Sequence, residues 1–143
     1  ENFEIAAQKA VESGVNEIVP IITERTVKTG LNYERLNKII REACEQSGRS
    51  IVPLLSPTLE FKNAILDGMK NEEKVVFHFS DQEYRPNKNY KNSSIFVGPE
   101  GGFTDKEINF AKENGYTNSS LGRLTLRGES AAIIATYRVV NNI

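Results

Sequence analysis

Apolar residues recur along the chain in two alternating rhythms, one of helical spacing and one of short β-branched runs. Residues 2–13 place Phe3, Ala6, Ala7, Ala10 and Val11 on one helical face, with Gly14 in the position of a C-terminal cap. A β-branched run over 16–22 follows, interrupted at Pro20, where a strand must release its partner. Asn32 can cap a second helix whose Leu36, Ile39, Ile40, Ala43 and Cys44 share a face before Ser47-Gly48 ends it. A short strand over 51–55, broken at Pro53, leads through Ser56-Pro57-Thr58 into a predicted helix over 59–69 with Phe61, Ala64, Ile65 and Met69 inward.

Beyond that point the pattern predicts strands over 74–79, 94–97 and 116–121, and a helix over 105–114. A final helix starts at Glu129 and carries a stripe of Ala131, Ala132, Ala135 and Val139, suited to close packing on the sheet or on a partner subunit. Residues 23–30, 80–93 and 122–128 read as loops, the second of them strongly polar. Strands alternating with helices throughout predict an α/β fold, a mostly parallel sheet with helices on both faces.

The most distinctive stretch is Ile95-Phe96-Val97-Gly98-Pro99-Glu100-Gly101-Gly102-Phe103-Thr104. Three of the ten glycines fall within it. A buried strand stops at Gly98-Pro99, and Thr104 opens a helix with a capping box to Glu107. A strand, a glycine turn and a helix start form a ligand site at the carboxyl end of a parallel sheet, or simply a tight connection. Asp105 and Glu107 in the first helical turn, Glu100 in the loop and the lack of a lysine argue against phosphate. A neutral or cationic ligand, such as an adenosyl group carrying a sulfonium, suits the turn better. Gly101 is the position where glycine's conformational freedom is expected to matter.

Composition narrows the class. With 143 residues, 38% hydrophobic and 26% charged, the chain reads as one soluble globular domain. No apolar run approaches the ~20 residues of a membrane span and no signal-peptide pattern opens the chain, so the expected compartment is cytoplasmic. One cysteine and one histidine exclude a Cys/His zinc site within the chain, and no metal is expected. A net charge of −1 is too weak for this domain to grip nucleic acid by charge alone. The first residue is Glu1, inside what reads as a helix, so a piece of a longer protein is expected.

Taken together, Glu24-Arg25 after Val19-Pro20, Glu45-Gln46-Ser47-Gly48-Arg49 before Val52-Pro53, Ile95 to Phe103, Leu121-Gly122 with Leu126-Arg127, and Glu129-Ser130-Ala131 form a set. The set resembles the RsmE-type ribosomal RNA uridine-N3 methyltransferases of the SPOUT superfamily, in the right order over nearly the whole chain. The resemblance implies an α/β domain with a deep C-terminal trefoil knot, although threaded chains are rare on general grounds. It further implies S-adenosylmethionine bound in the knot loops, small-subunit ribosomal RNA as substrate, and a homodimer whose active site draws on both subunits. Family members usually carry an N-terminal RNA-binding domain of PUA type, which this chain lacks; residues 1–143 would be the methyltransferase domain alone. Two departures stand out: Leu124 where the family often has arginine, and Ser130 where it has threonine.

By the same resemblance, Phe79, Gly98, Pro99, Gly101, Ser120, Leu121, Gly122, Leu124 and Leu126 would enclose the cofactor. Arg25, Glu129 and Ser130 would meet the RNA. Uridine N3 attacks as an imide anion, so a cation beside the uracil oxygens is required; Arg49 and Arg127 are the candidates, with Glu100 orienting the base or fixing the turn. Without the resemblance each has a plainer reading: a surface charge after a cap for Arg49, a salt bridge to Glu129 for Arg127, a turn contact for Glu100. His78 at a strand end could in principle take the N3 proton but is more often structural, Cys44 is a core residue, and Arg35, Lys38 and Arg41 form either an RNA-facing stripe or an ordinary solvated face. Another SPOUT enzyme, such as a tRNA ribose 2'-O-methyltransferase, and a noncatalytic RNA-binding or assembly module are the two rival readings.

Overall fold

The computed structural model describes residues 2–27, 30–86, 89–122 and 128–143. The chain opens with α1 (Asn2–Ser13), β1 (Glu17–Ile18) and β2 (Ile21–Ile22), then α2 (Tyr33–Ser47), β3 (Leu54–Leu55), β4 (Leu59–Glu60) and α3 (Phe61–Gly68). The second half runs β5 (Glu73–Phe77), β6 (Ser93–Val97), α4 (Asp105–Glu113), β7 (Thr117–Ser119) and α5 (Gly128–Asn141). Two helix starts form as their sequences predict. The Asn32 side chain accepts the Arg35 amide at 3.0 Å, and Thr104 and Glu107 close a full capping box. Gly48, at φ +74°, ends α2 in the left-handed conformation that a side chain resists.

All observed pairing is parallel, but it is divided among three small sheets rather than one. β1 pairs with β3 and β2 with β4, and the amides of Leu54, Ser56 and Leu59 reach the carbonyls of Asn16, Ile18 and Pro20 at 3.0 Å each. Pro20 therefore splits the predicted 16–22 strand without separating it from its partner. The predicted helix start at Leu59 is corrected: Leu59 and Glu60 are claimed by β2, and the helix waits until Phe61. Its predicted end is corrected too, since α3 stops at Gly68, where a Cβ would collide with the Tyr116 hydroxyl, and Met69 is exposed instead of inward. The 51–55 strand shrinks to Leu54–Leu55, leaving Ile51 and Val52 exposed.

The third sheet, in the order β6-β5-β7, organises the second half of the chain. Alternation along β5 sends its side chains to two different cores. Val76 packs with Phe61, Ile65, Phe96, Phe103 and Ile108 beneath α3 and α4, whereas Val75 and Phe77 pack with Tyr84, Ala135 and Val139 beneath α5. Helices thus cover both faces, as the strand–helix alternation implies. Half of the small-residue stripe of α5 goes into this packing: Ala135 and Val139 are buried, whereas Ala131 and Ala132 are only partly covered. A third cluster joins Val11 of α1 to Ile40, Ala43 and Cys44 of α2, confirming Cys44 as a core residue. The polar 80–93 stretch holds a buried anchor that its composition hides, Tyr84, whose ring stacks at a tilt on Phe77 with centroids 5.4 Å apart.

Ile65 is fully buried at the centre of the α3–α4 face. Ile65→Ala is expected to cost about 2–5 kcal/mol, read as a lower urea midpoint at unchanged slope.

Candidate functional site

Parallel pairing brings three strand ends to one level. Phe77 is in register with Val97 on one side and Ser119 on the other, so the chain leaves the sheet at 78–79, 98–103 and 120–122 side by side. The exits are tied together by main-chain and side-chain bonds. The His78 amide donates to the Ser119 carbonyl at 3.1 Å, and Asn118 Nδ2 donates to the Phe79 carbonyl at 3.2 Å. The Tyr84 amide donates to the Ser120 carbonyl at 2.8 Å. The start of α5 closes the fourth side: a Cβ on Gly128 would lie 3.9 Å from the Gly98 carbonyl oxygen. This is the carboxyl edge of a parallel sheet, where α/β proteins bind ligands.

The glycine turn is a tight reversal, with the Gly102 amide donating to the Pro99 carbonyl at 2.8 Å. Its left-handed residue is Gly102, at φ +73°, where a Cβ would also stand 3.0 Å from His78 Cε1. The expectation that Gly101 needs this freedom is therefore corrected. Gly101 lies outside the left-handed region, and its missing side chain makes room for the methylenes of Arg25, 3.3 Å from where a Cβ would sit. The Phe103 ring is fully buried beneath Gly98, 3.2 Å from that glycine's would-be Cβ.

His78 stands between this turn and the Phe79 and Phe103 rings, with centroids 5.7 and 6.1 Å away. Burial pushes its pKa down, the Arg25 guanidinium pushes it further, and Asp105 and Glu107 oppose the shift. The shift favours the neutral imidazole. The negative groups at this edge, Glu100 and Asp105, are exposed, and Glu107 is buried with its carboxylate bonded to amides.

Of the residues singled out from sequence, Phe79, Gly98, Pro99, Gly101, Ser120, Leu121 and Gly122 all fall on this edge. Phe79 is 74% exposed beside it. Glu100 is an exposed residue of the turn. Glu129 and Ser130 lie in the first turn of α5. Arg25 reaches the edge, but its Nη1 donates to the carbonyls of Gly101 at 2.7 Å and Phe103 at 3.4 Å. Arg49 is engaged elsewhere, its Nη1 capping α1 by donating to the carbonyls of Val11 at 3.0 Å and Val15 at 2.8 Å. Leu124, Leu126 and Arg127 lie outside the described residues. Arg35, Lys38 and Arg41 are exposed on α2, where Arg35 is paired with Glu4 at 2.8 Å.

Asn118 escaped the sequence reading, since an asparagine in a short strand carries no pattern. Besides its bond to Phe79, it keeps a buried Oδ1 that has no hydrogen-bond partner among the described residues. Among the described residues, no three metal-ligating side chains gather and no helix is long and apolar enough to cross a membrane.

A family model described as an RNA methyltransferase domain matches residues 1–140. The chain belongs to that family. Its relatives are of the RsmE type: ribosomal RNA small subunit methyltransferase E of Mesomycoplasma hyopneumoniae is 34% identical over 99% of this chain and 65% of its own length. The Rickettsia conorii enzyme of the same name is 35% identical over 94% of this chain and 57% of its own. The Neisseria gonorrhoeae ribosomal RNA small subunit methyltransferase E, solved with bound S-adenosyl methionine, superposes with a TM-score of 0.81 at 31% identity, covering 94% of this chain and 58% of that one. The chain thus spans less than two thirds of the length of these relatives.

Gly102→Ala adds a methyl group against His78 in a left-handed turn, and is expected to cost about 1–3 kcal/mol. Gly101→Ala meets only the flexible stem of Arg25. Thermal denaturation should show the first variant clearly less stable than the second; the reverse order would contradict this account of the turn.

Proposed function

We propose that this chain is the catalytic domain of an S-adenosylmethionine-dependent methyltransferase that modifies N3 of a uridine in small-subunit ribosomal RNA. The observation that carries the reading is the meeting of three strand exits at one carboxyl edge, in a chain whose relatives are ribosomal RNA methyltransferases. The residues there fit an adenosyl sulfonium. Main-chain amides and carbonyls at 78–79, 98–102 and 120–122 can bond the edge of a base, and Phe79 offers an exposed ring. Asn118 adds a buried acceptor without a partner among the described residues. Glu100 and Asp105 favour a cation over a phosphate.

S-adenosylmethionine supplies an activated methyl group; the protein's part is to align the acceptor and exclude water. In this reading Phe79, Gly98, Pro99, Gly101, Ser120, Leu121, Gly122, Leu124 and Leu126 enclose the cofactor, and Glu129 and Ser130 face the RNA. Arg127 stabilises the negative charge that develops on the uracil oxygens as the N3 proton is lost. Arg49, whose Nη1 is committed to α1, is the weaker candidate for that charge, and Glu100 is placed to orient the base. His78 lies at the same edge, between the glycine turn and the Phe79 and Phe103 rings.

The family's further features belong to the same proposal: a SPOUT-type trefoil knot, a cytoplasmic homodimer, and an RNA-binding domain in the part of the relatives that this chain does not span. Ile134 and Tyr137 leave exposed apolar surface on α5 for a second copy to cover.

Calorimetric titration of the chain with S-adenosylmethionine, and separately with ATP, tests the reading. Uptake of S-adenosylmethionine alone, near one per chain, is expected, followed by a methyl mass increment on uridine N3 in small-subunit ribosomal RNA. Folded protein that takes up neither compound would overturn the cofactor assignment in favour of a noncatalytic module.

A further inference from the structure

The glycine turn is gripped by residues far away in sequence. Glu107, buried in the first turn of α4, uses both carboxylate oxygens on main-chain donors. Its Oε1 accepts the Thr104 amide at 2.9 Å, completing the helix cap, while its Oε2 accepts the Glu24 amide at 3.2 Å. The next residue adds a second arm, Arg25 Nη1 donating to the Gly101 and Phe103 carbonyls. All of these bonds run one way: the 24–25 segment donates, and the 101–107 segment accepts through two carbonyls and a carboxylate.

The gripping segment is itself rigidly built. Thr26 donates its amide to the Thr23 carbonyl at 3.2 Å, and the Thr23 amide donates to Thr26 Oγ1 at 2.9 Å. The turn follows directly on β2, which is paired with β4. It thus ties the glycine turn to a second sheet, outside the one from which the turn emerges.

We propose that Arg25 and Glu107 are positioning residues for S-adenosylmethionine, forming a two-armed latch that holds the 98–103 turn in its binding shape before the cofactor arrives. The proposal rests on the cofactor reading above, and it gives Arg25 a role distinct from RNA contact. A preformed turn spares the ordering that binding would otherwise require. A glutamine at 107 has one acceptor oxygen where two are used, and its amide nitrogen would face a donor, so it cannot hold the Thr104 cap and the Glu24 arm together. Removal of Arg25 breaks the other arm at an exposed position, leaving the core intact.

Arg25→Ala, Arg25→Lys and Glu107→Gln are compared by hydrogen exchange of the 98–104 segment without cofactor, and by calorimetry with S-adenosylmethionine. Arg25→Ala and Glu107→Gln should each speed exchange and raise the Kd by about tenfold or more, with partial rescue in Arg25→Lys. In transfer assays the KM for S-adenosylmethionine should rise while the KM for RNA stays. Should Glu107→Gln fail to fold, Arg25→Ala alone decides. Unchanged exchange in Arg25→Ala overturns the latch, whether or not the protein binds cofactor. Faster exchange with unchanged Kd, or a rise confined to the KM for RNA, overturns the positioning role. Exchange that responds in a protein taking up no S-adenosylmethionine supports the latch and overturns the cofactor reading.

Discussion

β5 lies between β6 and β7 with all three strands running the same way, and this single constraint brings the candidate site together. A parallel strand cannot turn straight back to its neighbour, so each exit must lead into a connection that crosses a face of the sheet. Three chain segments well separated in sequence are thereby delivered to one edge. The burial of Val75, Val76 and Phe77 in two different cores keeps β5 in place. A slip of one residue would exchange those faces and misalign all three exits.

Charge then selects what that edge can hold. Helix N-termini attract anions, but α4 begins with acidic residues and spends its capping carboxylate on two main-chain amides. The phosphate-binding potential of the turn is consumed internally. What remains open to a ligand is a set of main-chain groups, one exposed phenyl ring, an imidazole and the exposed carboxylates of Glu100 and Asp105, an environment for a planar base and a soft cation. The net charge of −1 leaves little for gripping RNA across the whole surface.

The elements whose signals are local were legible from the sequence. Asn32 and Gly48 bracket α2, the Thr104–Glu107 box starts α4, and a β-branched run marks β5; each is decided within a few residues. What escaped depends on partners distant in the chain. Leu59 and Glu60 read as helix but are claimed by β2, and Tyr84 hides a core anchor inside a polar segment. The edge itself was legible, because a strand ending in glycines beside a capping box declares it. The individual roles of the arginines were not: Arg25 and Arg49 both bond main-chain carbonyls, and a carbonyl leaves no trace in the identity of the residue that bears it.

The most direct test of the account is a crystal structure of the chain soaked with S-adenosylmethionine. The account predicts the adenosyl group against 78–79, 98–102 and 120–122, with the 98–103 turn, Arg25 and Glu107 unmoved from the arrangement described above. A concavity of about 1150 Å³ lies away from this edge, between α1 and α2, lined by Glu4, Gln8, Arg35 and Glu42 among others. Cofactor bound there, or a 98–103 turn that rebuilds around the ligand, would contradict the claim that a preformed carboxyl edge is the binding site.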